Sequence, residues 1–120
     1  VSAVYHNRLK KRMLLQADPT TIYALKRAGQ WRGSLARSQL TFDEPYNTYA
    51  RPGLPPGPIC NPGLAALEAA VAPAEVTYLF FVAKGDGSHL FSESYEEQQR
   101  NVARYFESRR AAREAGAVER

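Results

Sequence analysis

The sequence predicts an α+β fold in which three to four helices pack around a small sheet. Apolar residues recur at helical spacing in several segments, and one continuous apolar run spans residues 76–83. That run is typical of a strand covered on both faces. A Gly-Asp-Gly turn at 85–87 and a short returning strand at 89–91 follow it, so a β-hairpin is expected over about 76–92.

Two helices are expected in the first thirty residues. Residues 1–12 carry apolar side chains on one face and predict an amphipathic helix. The second helix is predicted to begin with Asp18 as its N-cap and Pro19 at the first helical position. Gly29 supplies the expected stop.

The middle of the chain has little regular periodicity. A short turn is expected at 37–40, and a Pro/Gly-rich loop follows at 52–63. This loop holds five of the eight prolines and three of the eight glycines, so its backbone is predicted to be stiff and irregular. It is either a shaped loop against a site or a structural crossover. Asn61 and Pro62 are expected to cap a third helix that reaches about residue 71.

The third and fourth helices each have a predicted apolar face. Leu64, Leu67 and Val71 lie on one face of the third helix. Ser94 and Glu97 form a capping-box pattern that opens the long fourth helix. The side chains of this helix that are expected to face the core are Val102, Tyr105 and Phe106. Its last turns, from about residue 109, are expected to fray.

Length and composition indicate a single ordinary globular domain. The 120 residues are 44% apolar and 23% charged, with no apolar run of membrane-spanning length. One cysteine excludes an internal disulfide, and two histidines plus that cysteine are too few for a convincing metal site. The net charge is +4, and the mixed signs of the tail favour a solvated helix over an anionic partner. Because the chain opens on Val1, we expect it to be part of a longer protein.

Residue patterns typical of common enzyme centres are missing. Each carboxylate has a structural explanation, as a cap, a turn residue or part of a helix N-terminus. Ser88, His89 and Asp86 are neighbours on one tight hairpin, which rarely holds a catalytic triad. No phosphate-binding glycine loop occurs, and no lysine has a setting that would desolvate it for Schiff-base chemistry.

Hydroxyl, amide and aromatic side chains are instead concentrated near the predicted loops. Such groups suit a neutral sugar polymer, because amides and hydroxyls pair with sugar hydroxyls and aromatic rings cover the apolar sugar faces. The alternative is that the tyrosines fill the core. The residues concerned are Tyr5, Asn7, Gln16, Tyr23, Tyr46, Asn47, Thr48, Tyr49 and Asn61.

Six motifs then occur in a recognisable order. They are VYHNRL (4–9), LQADPTTIY (15–23), PYNTY (45–49), GLPPGPICNPG (53–63), YLFFVA (78–83) and GDGSHLF (85–91). Together they resemble the C-terminal part of the catalytic domain of the YceG-like (MltG) endolytic murein transglycosylases. The resemblance covers residues 1–106 and leaves 107–120 as a charged helix end or tail.

The resemblance implies a lyase of the bacterial cell envelope that cleaves nascent peptidoglycan strands internally and leaves 1,6-anhydromuramic ends. It implies a parent protein with one membrane helix and an extracytoplasmic catalytic domain. Glycan strands are the implied partner, with the wall-synthesis machinery as a further one. No cofactor, metal or nucleic acid is implied. One glutamic acid would act as general acid and then as base, because the sugar's own hydroxyl is the nucleophile.

The chain departs from the family at one decisive point. The family's catalytic Glu lies upstream of the motif at 4–9, so no catalytic residue can be assigned here and the chain alone is expected to be inactive. By resemblance, these residues supply the wall of a sugar-binding cleft. The substrate-binding candidates at motif positions are Asn7, Gln16, Asp18, Tyr23, Tyr46, Asn47, Tyr49 and Asn61.

Two alternatives stay open. Relatives have carried the label aminodeoxychorismate lyase, which would require pyridoxal phosphate bound to a lysine. A non-catalytic glycan-binding or scaffold module is the other alternative. A nucleic-acid binder would rest on the basic tail alone.

Overall fold

Four helices and one two-stranded antiparallel sheet make up the fold, which confirms the predicted α+β class. The computed structural model describes residues 1–119. A short 3₁₀ helix at Arg37–Thr41 confirms the turn expected there. The remaining elements are α1 (Ser2–Lys10), α2 (Asp18–Arg27), α3 (Leu64–Val71), β1 (Phe80–Ala83), β2 (His89–Ser92) and α4 (Tyr95–Glu119).

The hairpin forms where it was predicted but is shorter. Phe81 pairs with Phe91 and Ala83 with His89, and the turn between the strands uses positive φ angles at glycine. The strand expected over 76–83 begins only at Phe80, and it is half-buried rather than covered on both faces. In residues 76–79, three carbonyl groups accept hydrogen bonds from side chains of α1.

Helix α1 is attached to this segment through polar side chains. The Asn7 amide donates to the carbonyl oxygens of Val76 and Tyr78, both at 2.8 Å. The Arg8 guanidinium donates through Nε to the Leu79 carbonyl at 2.8 Å. With these three hydrogen bonds, Asn7 and Arg8 fix the helix against the chain that leads into β1.

The start of α2 corrects one prediction. Asp18 is the first helical residue, and Ala17 occupies the N-cap position without a side-chain cap. The Ala17 N–H is instead bound by the Thr48 hydroxyl oxygen, at 2.9 Å. The Asp18 carboxylate is therefore available for another partner. At the other end, Gly29 has φ +70° and confirms the predicted stop.

A buried amide holds the loop before Tyr49 against α2. Asn47 has no exposed surface, and its Nδ2 donates to the carbonyls of Leu40 (3.0 Å) and Phe42 (2.6 Å). Its Oδ1 accepts from the Thr21 hydroxyl (2.7 Å) and from the Tyr49 N–H (3.1 Å). Two donors and two acceptors exhaust what an asparagine side chain offers. Asn47 is thus a complete internal cross-link.

Helix α3 differs most from expectation. It begins at Leu64 with Gly63 at the N-cap, so Asn61 and Pro62 lie outside it. Its apolar face is not buried: Leu64, Leu67 and Val71 are 72%, 51% and 84% exposed. The apolar spacing was a genuine helix signal, but no described element covers that face.

The preceding loop contains no helix or strand, as expected for its composition. A Cβ at Gly57 would lie 3.1 Å from the Tyr46 hydroxyl oxygen, so the loop passes close to that ring.

Helix α4 begins as predicted and continues further. The Glu97 N–H donates to the Ser94 hydroxyl oxygen at 3.2 Å, and the helix runs past residue 109 to Glu119 instead of fraying. Val102 and Tyr105 are half-buried, whereas Phe106 is 59% exposed and does not face the core. The radius of gyration is 16.3 Å, above the ~13.6 Å of a compact chain of this length, because α4 projects from the body. Residue 120 of the predicted tail lies outside the described residues.

We predict that Asn47→Leu lowers the free energy of unfolding by about 2 kcal/mol or more. The substitution leaves several buried groups without partners, and each such group costs about 1–3 kcal/mol. Urea unfolding followed by circular dichroism measures the loss. Asn61→Leu is the matched control, because Asn61 is exposed and its side chain makes no hydrogen bond to any residue that the structure describes. Equal effects of the two substitutions would contradict the cross-link.

Candidate functional site

A groove of about 600 Å³ lies between the start of α2 and the hairpin. One wall is polar and is formed by Gln16, Asp18 and Tyr49. The opposite wall is largely aromatic, with Phe81 and His89 from the hairpin. The rest of the lining consists of Val1, Tyr5, Arg8, Ala17, Pro19, Phe80, Tyr95 and Gln98.

The polar wall is held by backbone and side-chain hydrogen bonds. Gln16 adopts a left-handed conformation with φ +50°, and its N–H donates to the Thr48 carbonyl at 3.3 Å. Its side chain is exposed to the groove. The Tyr49 hydroxyl donates to Asp18 Oδ1 at 2.6 Å. Asp18 and Tyr49 therefore form a fixed pair beside a solvent-facing amide.

The aromatic wall comes from β1 and β2. The Phe81 ring meets the Tyr5 ring edge-to-face at 5.8 Å between centroids and the His89 ring at 5.6 Å. Gln98 Nε2 donates to the Phe81 carbonyl at 2.9 Å, which ties the first turns of α4 to the hairpin. His89, which the sequence indicated only as a hairpin side chain, thus also lines the groove.

Arg8 connects the two walls. It is 7% exposed, and its Nη1 donates to the Leu15 carbonyl at 2.5 Å, directly before Gln16. Its Nε donates to the Leu79 carbonyl, directly before β1. The guanidinium carbon also lies 5.6 Å from the centroid of the Phe80 ring. Sequence reasoning did not single out Arg8, although it stands inside the quoted motif at 4–9.

Burial shifts the titration of three groups around the groove. It raises the pKa of Tyr49, and the hydrogen bond to Asp18 raises that pKa further. Burial also raises the pKa of Tyr5 and lowers the pKa of Arg8. Both phenols therefore keep their protons near neutral pH. The Tyr49 proton is donated to Asp18, so that its hydroxyl oxygen can only accept a further hydrogen bond.

The structure brings only three of the eight sequence candidates into the groove, namely Gln16, Asp18 and Tyr49. The amides of Asn7 and Asn47 are occupied by backbone and hydroxyl partners, so these two residues build the scaffold.

Three further candidates lie outside the groove. Tyr23 and Tyr46 pack on each other at 4.8 Å between ring centroids. The Arg27 guanidinium lies 4.5 Å from the Tyr46 ring centroid and pairs with Glu44 at 3.2 Å. Asn61 is exposed in the Pro/Gly-rich loop, which does not line the groove.

Several residues that were not candidates from the sequence also line the groove: Phe80, Phe81, Tyr95 and Gln98, besides Arg8 and His89. Phe81 and His89 stand in quoted motifs, so motif membership was a usable signal for them. Gln98 and Tyr95 follow the hairpin at a helix start, and only the packing of α4 on β1 reveals their place.

Across the part of the chain that the structure describes, no three His, Cys, Asp or Glu side chains converge as a metal site would need. None of the described helices combines the length and the apolar character required to cross a membrane.

A family model and two sequence relatives agree on the family to which this chain is similar. The family model described as the YceG-like family matches residues 1–104. The chain is 41% identical over 109 residues to an endolytic murein transglycosylase of Bacillus subtilis, covering 91% of this chain and 29% of that protein. It is 34% identical over 113 residues to an endolytic murein transglycosylase of Streptococcus pneumoniae, covering 91% and 20%.

A solved structure agrees with the sequence matches. The crystal structure of a YceG-like protein from Listeria monocytogenes superposes with a TM-score of 0.72 and 43% sequence identity, covering 82% of this chain and 31% of that one. The chain thus spans less than a third of the length of these relatives. A family match over residues 1–104, with the same fold at 43% identity, establishes that this chain belongs to the YceG-like family.

Proposed function

We propose that this chain forms the glycan-binding part of an endolytic murein transglycosylase and that its groove holds a peptidoglycan strand. The observation that supports this most directly is the pairing of a polar wall with an aromatic wall across about 600 Å³. Hydroxyl and amide groups can bond sugar hydroxyls, while aromatic rings cover the apolar faces of the sugar rings. The relatives named endolytic murein transglycosylases support murein as the polymer.

Each wall has a separate task in this proposal. Gln16, Asp18 and Tyr49 provide the hydrogen-bonding edge and set the rotation of the strand about its axis. The rings of Tyr5 and Phe81 provide the apolar surface. Gln16 keeps its left-handed backbone although that conformation is unfavourable for a residue with a Cβ, which supports a role for its orientation.

We further propose that the catalytic acid comes from outside these 120 residues. Asp18 is the only carboxylate among the described residues that lines the groove, and it accepts a hydrogen bond from Tyr49. A lytic transglycosylase needs a protonated carboxyl that donates its proton to the leaving glycosidic oxygen. The resulting carboxylate then removes the proton from the muramic acid 6-hydroxyl, whose oxygen attacks C1 and closes the 1,6-anhydro ring. Gln16, Tyr5 and Phe81 would hold the strand during these steps.

The proposed place of action is the bacterial cell envelope. A membrane-anchored parent with an extracytoplasmic catalytic domain is part of the proposal, because murein lies outside the cytoplasmic membrane. The wall-synthesis machinery is the partner that we propose beyond the glycan strand itself.

The pyridoxal-phosphate alternative is less compatible with the site. A Schiff-base lysine is activated by desolvation or by a neighbouring cation in a pocket. All four lysines are exposed, and none lines the groove: Lys10, Lys11, Lys26 and Lys84. The remaining alternative is a glycan-binding module without catalysis. It would use the same groove, but no catalytic acid would be added to it.

We predict that Gln16→Ala weakens binding of soluble glycan strands about five- to tenfold, because one hydrogen bond to the sugar is lost. Isothermal titration calorimetry with peptide-free glycan fragments measures the change. Gln99→Ala is the matched control, since Gln99 is exposed on α4 outside the groove. Similar affinities of the two variants would count against the groove as the binding site.

We also predict that the 120-residue chain produces no 1,6-anhydromuropeptides from purified glycan strands, because the groove lacks the required acid. Mass spectrometry of the digest detects such products directly. If these products appeared, the proposal that the catalytic acid comes from outside these residues would be wrong, while the glycan-binding proposal would be unaffected. Strand binding without product is the expected pair of results.

A third prediction concerns alkaline pH. Because the folded state raises the pKa of Tyr49 above its ordinary value of 10.0, the folded state retains a proton that the unfolded state releases. The stability is fully present below pH 10.0 and falls as the pH rises above it. Urea unfolding at several pH values shows a shallower alkaline fall for Tyr49→Phe than for the wild type. Tyr95→Phe, at a residue that is 64% exposed, is the control, and an equally shallow fall there would refute the assignment.

A further inference from the structure

The projecting part of α4 carries its charges in separate stripes. Four residues spaced i, i+3, i+4 and i+7 share one face of this helix, and we call them the basic stripe: Phe106, Arg109, Arg110 and Arg113. They surround a surface depression of about 280 Å³. The neighbouring stripe, Arg100, Arg104, Glu107 and Glu114, has mixed signs. The sequence alone showed only a tail of mixed charge, whereas the helix geometry groups three arginines around Phe106, with Glu107 and Glu114 at the edge beside Arg110.

The charge of the basic stripe is not balanced by the ion pairs found among the described residues, which join Arg27 to Glu44 and Arg51 to Asp43. Arg109 lies against Tyr105, with its guanidinium carbon 5.8 Å from the ring centroid. The stripe therefore presents a local positive field to the surrounding solvent, which attracts an anionic surface.

An exposed aromatic ring lies among these arginines. Phe106 is 59% exposed and has no described element packed over it. A soluble polyanion would bind the guanidiniums but would leave the ring in water. A lipid bilayer accommodates both features, because phenylalanine enters the boundary of the headgroups and acyl chains while arginines pair with anionic headgroups.

We propose that the basic stripe of α4 binds the surface of an anionic phospholipid bilayer, with Phe106 inserted between headgroups. The arginines supply the attraction, and the mixed-sign stripe faces away from the lipid. This contact is distinct from a membrane-spanning helix, which α4 does not provide. The proposal is independent of the glycan-binding function of the groove.

Vesicle co-sedimentation of the full 120-residue chain tests the proposal. The probe is a vesicle of equal parts phosphatidylglycerol and phosphatidylcholine, compared with pure phosphatidylcholine. We expect binding to the anionic vesicles only, and weaker binding as salt rises. The double variant Arg109→Gln/Arg113→Gln should bind about thirtyfold more weakly, because each arginine near an anionic surface contributes about fivefold.

The matched control is Arg100→Gln/Arg104→Gln, which removes the same charge from the mixed-sign stripe of the same helix. It should retain most of the binding, and circular dichroism should show both double variants folded. Equal losses in the two double variants would overturn the proposal, since net charge alone would then explain binding. Absence of wild-type binding to anionic vesicles would overturn it as well.

A third comparison separates lipid from soluble polyanions. Phe106→Ser should weaken vesicle binding but leave retention on heparin unchanged, because only the bilayer receives the ring. If wild type binds heparin or DNA as tightly as vesicles, and Phe106→Ser has no effect on vesicle binding, the stripe binds polyanions instead and the proposal is wrong.

Discussion

The guanidinium of Arg8 joins two parts of the chain that are distant in sequence, and the groove exists between them. It donates to the Leu15 carbonyl, directly before Gln16, and to the Leu79 carbonyl, directly before β1. Both walls are therefore attached to the same planar group. Burying a cation is unfavourable unless its hydrogens are satisfied. Here neutral carbonyls and the nearby Phe80 ring provide that environment. A shift of either wall would leave a buried charge poorly solvated, so the walls are held together by more than apolar contact.

The interior around this cation is unusually polar. Among the described residues, seven polar or charged side chains are buried against five apolar ones, so hydrogen bonding carries much of the structural specificity. Thr20 and Thr48 share a bond of 2.7 Å, and Thr21 binds Asn47. Such directional contacts fix the loop before Tyr49 at the edge of the groove. A purely apolar core would leave that loop more freedom to slide.

The sequence predicted the elements better than it predicted the site. Periodicity and turn residues located the helices and the hairpin, because those signals are local. Residue chemistry could not distinguish Asn47, a buried cross-link, from Gln16, an exposed amide, because both side chains are amides next to loops. Asp18 looked like a helix cap by position, yet it is the first helical residue and its carboxylate accepts a hydrogen bond from Tyr49 instead. The exposure of Leu64 and Leu67 depends on what packs against α3, and helical spacing alone does not predict which element does so.

Because α4 is continuous, it sets the distance between the groove and the basic stripe. Gln98 lines the groove and Arg113 closes the basic stripe, and the same unbroken helix holds both. At about 1.5 Å of rise per residue, the two side chains are separated by roughly 22 Å along the axis. Each residue also turns the helix by about 100°, so the number of residues between them sets their relative direction. Length and phase are therefore specified together, and a one-residue insertion would change both.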